Sequence, residues 1–491
     1  MTNSWQSWST QRRREGPDVS ATRNRFDFTA ELPAVAELGV VHLIAIGGAG
    51  MSAVARLLLA RGVTVQGSDA KDSAALRSLE AEGATVWVGH DPVHVVGAQT
   101  VVVSSAIRED NVELARAREL GLRVLHRSQA LAATASGSTV IAVAGANGKT
   151  TTTSMLIAAL EGAGHAPSFA SGGDLADRGT NAAWVAEGPF VIEADESDGS
   201  FLVYRADVAV VTNVQPDHLD FYGTFENVAS AYADFVASTV TGGALVACAD
   251  DEGSAALAAS TRGRPVLTYG RDPSADLVIL HAALESTGST STVRGPDGIE
   301  RSLSLRVPGI HNVLNACAAY LAATAGVGAD PDGVLAGLAR FGGARRRFEV
   351  VGESGGVTVV DDYAHNVGKV SAVVGTAAQI AHDAGGRLLA IFQPHLYSRT
   401  RDFVAGFAAG LGPADEVVLL DVYGAREEPM EGVSSALIAD RVVGGASVMS
   451  GQEAVDWAVR TARPGDIVMT IGAGDVTQLA ALIVAGLEAR P

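Results

Sequence analysis

The chain has 491 residues, 47 % hydrophobic but only 5 % aromatic, with 56 glycines, and at ~150 residues per domain it implies roughly three soluble α/β domains. A formal net charge of −19 excludes a protein that neutralises a nucleic-acid backbone, and it requires any anionic substrate to meet a local positive site. Cys248 and Cys317 lie far apart and outside any C-x-x-C, which fits buried thiols in a reducing cytoplasm.

Residues 1–32 are expected to be a disordered polar tail. They include Arg12-Arg13-Arg14 and lack the apolar core of a signal peptide. Leu38 to Ala60 is the longest apolar region, but His42, a glycine cluster and Arg56 interrupt it. It therefore reads as strand, turn and helix, not as a membrane span.

Residues 33–137 form a first, Rossmann-like unit. Val40–Ile46 is a strand, Gly47–Ala53 a turn, and Val54–Ala60 a helix. From Gly48 the turn reads G-x-G-x-x-A, through Gly48, Ala49, Gly50, Met51 and Ser52. The next strand ends in Ser68 and Asp69, the acidic position of a dinucleotide fingerprint. Alone, this pattern suits a nicotinamide-dependent oxidoreductase or any pyrophosphate ligand. A further strand ends in Ser104 and Ser105, which either face a ligand or cap a helix. Asn111 and Glu113 mark a helix start, Ser128 begins another short helix, and Thr134–Ser138 is a linker. His42, His90 and His94 read as structural or exposed.

Residues 138–344 form a central unit. Thr139–Ala144 is a buried strand, followed by Gly145-Ala146-Asn147-Gly148-Lys149-Thr150-Thr151 and a helix with stops at Gly162 and Gly164. The full P-loop pattern is absent, because Val143 stands at its first glycine. The shorter G-x-x-G-K-T still sets backbone N–H groups at a helix N-terminus, where a phosphate can sit. Lys149 would reach the outer phosphates and the Thr150 hydroxyl would hold Mg²⁺. The strand Phe190–Ile192 runs into Glu193, Asp195, Glu196 and Asp198, a cation site at a sheet edge. A strand ending at Thr212-Asn213 leads to Asp217-His218, so Thr150, Glu193 and His218 are expected to surround one or two Mg²⁺ ions. Gly270–Arg306 is expected to be a small antiparallel edge. His311 and Asn315 share one helix face; Asn315 suits an adenine edge or simple packing.

Four segments together resemble the Mur ligase family: Gly145-Ala-Asn-Gly-Lys-Thr-Thr, Glu193-Ala-Asp-Glu-Ser-Asp-Gly-Ser-Phe, Thr212-Asn-Val-Gln-Pro-Asp-His-Leu-Asp and Gly309-Ile-His-Asn-Val-Leu-Asn-Ala. His42-Leu-Ile-Ala-Ile-Gly-Gly-Ala-Gly-Met-Ser52 narrows the resemblance to the alanine-adding branch. It runs from about residue 40 to the C-terminus. Two departures stand out. Alanine-adding members usually carry His where Asn147 stands, and members commonly have Pro where Val367 follows Tyr363-Ala-His365-Asn366.

Residues 345–491 form a third unit, again with β-then-α spacing that implies a doubly wound sheet. Arg345-Arg346-Arg347 is an anion site or a solvated run by composition alone. The resemblance implies that Arg347 faces ATP phosphates, that Asp362 belongs to the ATP site, and that Tyr363, His365 and Arg399 face the amino acid.

The resemblance implies three α/β domains: a UDP-sugar-binding one, a central ATPase-type one and a C-terminal amino-acid-side one. It implies an ATP- and Mg²⁺-dependent amide ligase joining L-alanine to UDP-N-acetylmuramate through an acyl phosphate. Lys149, Glu193 and His218 would be catalytic, and Gly48–Ser52, Ser68, Asp69, Ser104 and Ser105 would hold UDP. Partners are small molecules, with no nucleic acid and no membrane, in a cytoplasmic monomer or weak homodimer. The alternatives are a recycling ligase that attaches a tripeptide to the same nucleotide sugar, the nicotinamide oxidoreductase, and a non-catalytic ATP-gated scaffold.

Overall fold

The computed structural model describes residues 25–490 except 176–177, 286–287, 344–345 and 426. Arg12–Arg14, Arg345 and Arg426 therefore lie outside the described residues. Three separate sheets are present among them.

The first sheet has five parallel strands in the spatial order Thr85–Val88, Val65–Asp69, Val41–Ile44, Thr100–Val103, Arg123–His126. Val41–Ile44 and Thr100–Val103 are buried along their whole length, as unbroken apolar runs covered on both faces should be. The strand order reverses between these two, and the loops at their carboxyl ends open a crevice. Two outer strands escaped the sequence reading. Thr85–Val88 has exposed ends and Arg123–His126 begins exposed, so neither looks like a core strand.

The glycine turn is shorter than expected. The helix runs Ala49–Ala60 with Gly48 as its N-cap, so Gly50, Met51 and Ser52 belong to its first turn. The linker also contracts, because Thr134 lies inside the helix Arg127–Ala135. The end of the expected tail is docked. Phe26 and Phe28 stand 5.2 and 5.4 Å from the His126 ring, and Gln129 donates to the Asp27 carbonyl at 3.0 Å. These contacts bury aromatic surface that a disordered tail would leave in water.

The central sheet runs Glu300–Leu305, Gly288–Arg294, Leu277–Glu285, Val266–Gly270, Ala244–Cys248, Val208–Val211, Val140–Ala144, Phe190–Glu193, Ser168–Leu175, Thr180–Ala183. Its middle is parallel. Antiparallel strands close both ends, including the edge expected over Gly270–Arg306. The third sheet runs Glu349–Ser354, Val357–Asp362, Ile467–Ile471, Leu388–Phe392, Glu416–Leu419, Ser447–Val448, all parallel except the first pair.

The cores are not shared equally. One buried apolar cluster passes from Leu43, Met51 and Leu57 of the first unit into Ala182, Phe190 and Phe235 of the central one. The third unit keeps two clusters of its own, one on each face of its sheet. No helix among the described residues is long and apolar enough to cross a membrane.

Candidate active site

The strand Val140–Ala144 is wholly buried and delivers the chain to the sheet edge at Gly145. A Cβ there would lie 2.0 Å from Thr212 Oγ1, and the residue has φ +139°; only glycine fits. Gly148, at φ +85°, caps the helix Lys149–Gly162. Thr212 and Asn213, at the end of the neighbouring strand, brace the loop between them. Thr212 Oγ1 and Asn213 Nδ2 donate to the Asn147 carbonyl at 2.6 and 3.0 Å, and the Asn147 N–H donates to Asn213 Oδ1 at 2.8 Å.

Lys149 Nζ donates to the Gly145 carbonyl at 2.6 Å and to Glu196 Oε1 at 2.8 Å. Burial opposes its charge, but Glu196, Asp195 and Glu193 outweigh that and raise its pKa. Thr150 Oγ1 donates to Glu193 Oε1 at 2.9 Å. The other Glu193 oxygen accepts from Ser171 Oγ and the Gly172 N–H.

Of Thr150, Glu193 and His218, expected around one or two Mg²⁺ ions, the structure pairs the first two and places the third beside a different acid. Thr150 meets Glu193, whereas His218 Nε2 lies 3.6 Å from Glu196 Oε1 and 3.9 Å from Asp217 Oδ2. No three His, Cys, Asp or Glu side chains among the described residues are arranged around one metal position. Glu196, in the sequence only one of four acids at a cation site, takes the central place here. It is 2 % exposed, links Lys149 to His218, and leaves Oε2 buried without a partner. Its signal was its place three residues after Glu193, on the loop that turns back over the phosphate loop.

The third unit closes the site. Arg347 Nη2 donates to Thr150 Oγ1 at 3.3 Å, while Arg346 is tied to Asp361 and the Gly472 carbonyl. The arginine run thus divides into one residue that faces the phosphate loop and one that holds its own sheet. Asp362 accepts from the Phe348 and Ala364 N–H groups, yet burial pushes its carboxyl up to about 6. Arg347, Asp362, Asn315 and the loop line one cavity of about 290 Å³. Asn315 lies against Gly148 and donates to Asn312 Oδ1 at 3.5 Å. It therefore sits on the loop. His311 lines the same cavity, and burial lowers its imidazole to about 4.

Beside this cavity, Arg399 Nη2 donates to Asp217 Oδ1 at 3.1 Å. Asp217 is buried, but His218, Arg399 and Lys369 hold it well below the usual carboxylate range. His365 is kept neutral by burial, with Lys369 and Arg399 adding to the effect. Its Nδ1 lies 2.8 Å from the Tyr363 carbonyl. Tyr363 lies under Arg346 and Arg347, whose guanidinium carbons stand 4.7 and 5.2 Å from its ring centre.

In the first unit the expected ligand residues separate. The Gly47 N–H donates to Asp69 Oδ2 at 2.9 Å, so Asp69 holds the turn itself. Ser104 and Ser105 stay accessible, and Ser105 donates to Asp198 of the acidic loop. Ser68 and Ser52 do not face the crevice. Ser52 accepts from Asn181 at 3.2 Å, inside the contact with the central unit. Ser68 Oγ donates to Glu113 Oε2 at 2.5 Å.

Glu113 is fully buried, and His42, His90 and His94 converge on it at 3.4, 3.2 and 2.9 Å. Burial raises its pKa, but hydrogen bonds from His42 and Ser68 prevail and bring it to about 2. Arg127 was missed. A Cβ on Gly50 would touch its guanidinium, and Nη2 donates to Asp195 Oδ2 at 2.7 Å. A cation beside the glycine turn is invisible in a sequence where it stands over 70 residues away.

Residues 40–139 match the description "Mur ligase family, catalytic domain", residues 143–323 "Mur ligase middle domain" and residues 346–474 "Mur ligase, glutamate ligase domain". A Kineococcus radiotolerans protein named UDP-N-acetylmuramate–L-alanine ligase is 54 % identical, over 91 % of this chain and 96 % of its own. The chain belongs to the Mur ligase family. A Renibacterium salmoninarum protein of the same name is 50 % identical over 92 % of this chain and 96 % of its own. Among solved structures, the UDP-N-acetylmuramate-alanine ligase of Thermotoga maritima aligns with a TM-score of 0.75 at 27 % identity, covering 91 % of this chain and 98 % of that one. A murein peptide ligase from Psychrobacter arcticus gives 0.69 at 25 %, covering 92 % and 99 %.

Mur ligases are ATP-dependent, and the nicotinamide reading of the first turn falls away with family membership. The two departures noted in the sequence, Asn147 and Val367, line one small cavity. Asn366 Nδ2, beside Val367, lies 3.2 Å from Asn147 Oδ1. Both thiols are buried and free, and burial raises both pKa values, the pattern of structural cysteines.

Proposed function

We propose that this Mur ligase joins L-alanine to the lactyl carboxylate of UDP-N-acetylmuramate, releasing ADP and phosphate. Relatives about half identical over nine-tenths of the chain carry that name. The observation that carries the chemistry is the convergence of Lys149, Thr150 and Arg347 on one phosphate loop from two units of the chain.

A carboxylate resists an amine because oxide is a poor leaving group. Transfer of the γ-phosphoryl of ATP to the carboxylate oxygen gives an acyl phosphate and ADP. The alanine amine then attacks the carbonyl carbon, and the tetrahedral intermediate expels phosphate. Lys149 leaves Glu196 for the phosphates, and Arg347 adds a second charge, so developing negative charge meets fixed cations in a desolvated site. Thr150 Oγ1 and Glu193 would hold a magnesium ion, which neutralises phosphate charge when bound; their hydroxyl and carboxylate are the oxygen donors such an ion prefers. His218 and Glu196 would serve a second. Both Mg²⁺ positions belong to this proposal, as do a cytoplasmic setting and a monomer or weak homodimer.

UDP is assigned to the Gly48–Met51 helix start with Ser104, Ser105 and Arg127 nearby. Arg399 and the neutral His365 flank the amino acid, with Tyr363 behind them.

The test is phosphate release from ATP with Mg²⁺, UDP-N-acetylmuramate and each amino acid in turn. The proposal requires release that depends on the nucleotide sugar and is fastest with L-alanine. Release with a tripeptide and none with alanine makes the chain a recycling ligase.

A further inference from the structure

Lys369 is the third residue of the helix Val367–Asp383, and its N–H is capped by Asn366 Oδ1 at 2.9 Å. It lines the same cavity as Lys149, Thr150 and Arg347. Two carboxylates approach it, and both are already committed. Asp217 is taken by Arg399 at 3.1 Å and Asn366 at 2.9 Å. Glu196 is taken by Lys149 at 2.8 Å. No carboxylate among the described residues pairs with the Lys369 ammonium.

A half-buried amine with no carboxylate partner, facing two cations, marks the place of a missing anion. Resting on the ATP-ligase reading above, we propose that Lys369 is a phosphate-contact residue, and that its amine gains a proton as the transferred phosphoryl group enters between it, Lys149 and Arg347. Burial, and then repulsion from Lys149 and Arg347, lowers its pKa to about 7, while Asp217 and Glu196 only partly restore it. A polyphosphate reverses the sign of the local field and returns the amine to its charged form. The proton comes from solvent.

The test is calorimetric titration at pH 8 with Mg²⁺ and an ATP analogue whose β–γ bridge is imido, in two buffers of different ionisation enthalpy. Wild-type protein takes up a proton on binding. Lys369→Gln binds ~10-fold more weakly, the size of one charge-assisted hydrogen bond, and takes up none. Lys369→Arg, always charged, binds nearly as wild type and also takes up none, which excludes Asp362 and His365 as the source. Unchanged affinity or unchanged uptake in Lys369→Gln, with a wild-type unfolding midpoint, overturns the inference. If wild-type protein fails to bind the analogue at all, the ATP-ligase reading falls instead. Binding that Lys149→Ala abolishes and Lys369→Gln leaves untouched sinks the inference alone.

Discussion

Asn366 donates its side-chain amide to Asn147 Oδ1 at 3.2 Å and to Asp217 Oδ2 at 2.9 Å. One residue of the third unit thereby touches both the phosphate loop and the His218 segment of the central unit. Asn147 passes the link on, donating to Gln215 Oε1 at 2.9 Å.

If that pair couples the two units, Asn147→Ala and Asn366→Ala each raise the KM for ATP about 5-fold, near 1 kcal/mol for a hydrogen bond. The double variant should lose less than the product of the two, because both singles break the same contact. Steady-state kinetics of the four proteins measures the coupling. Strict additivity would show that the contact transmits nothing.

Gly148→Ala introduces a Cβ 2.5 Å from Asn315 Oδ1 at a φ of +85°. Strain of roughly 1–2 kcal/mol accompanies a left-handed alanine, and the loop must shift to relieve the contact. We expect ATP binding to fall by at least ~10-fold, with circular dichroism unchanged. Asn315→Gly added to this variant should restore part of the affinity.

Lys149→Ala removes the charge at the phosphates and also strands Glu196, which is 2 % exposed. Phosphate release should fall by about 10³-fold or more. The unfolding midpoint should fall as well, since a buried carboxylate without its partner costs about 3–5 kcal/mol. Adding Glu196→Gln should recover the midpoint but not the activity. An unaltered midpoint in Lys149→Ala would show that Glu196 finds another partner.

Glu113 gives the first unit an acid limit. Its folded pKa, about 2, lies below its ordinary 4.5, so the folded state binds fewer protons in that interval. Its contribution is complete above pH 4.5 and is lost as pH falls toward 2, roughly 3 kcal/mol in all. Acid unfolding followed by Trp87 fluorescence should become less steep over that interval in Glu113→Gln. A curve superimposable on wild type would refute the assignment.

The phosphate loop was legible because strand, glycines and Lys149-Thr150 are contiguous, and local geometry makes the site. Helix Lys149–Gly162 ends at the glycine the sequence marked. The acidic loop was legible only in part. Four acids in six residues announce a cation site, but which one pairs with Lys149 depends on how the loop folds back, and that favoured Glu196 over Glu193. Ser68 was misplaced for a similar reason. Ser68 is enclosed within the strand Val65–Asp69, where Glu113 arrives from a helix over 40 residues later. The three histidines that join them look unrelated in sequence, because the sheet order, not their spacing, brings them together.

The first two units are welded by a common apolar core, whereas the third is held at the active site by Arg347, Asn366 and Arg399, all through polar bonds. Of these bonds only Arg399–Asp217 is an ion pair, and it is shielded from water, so salt acts weakly on it. Substituting Arg399 and Asn366 removes most of the polar seam and leaves the apolar one intact, so the paired variant should let the third unit swing outward as a body. The radius of gyration in solution then becomes a readout of nucleotide occupancy: large in the variant lacking Arg399 and Asn366 without ATP, small when the polyphosphate bridges the cations on both banks.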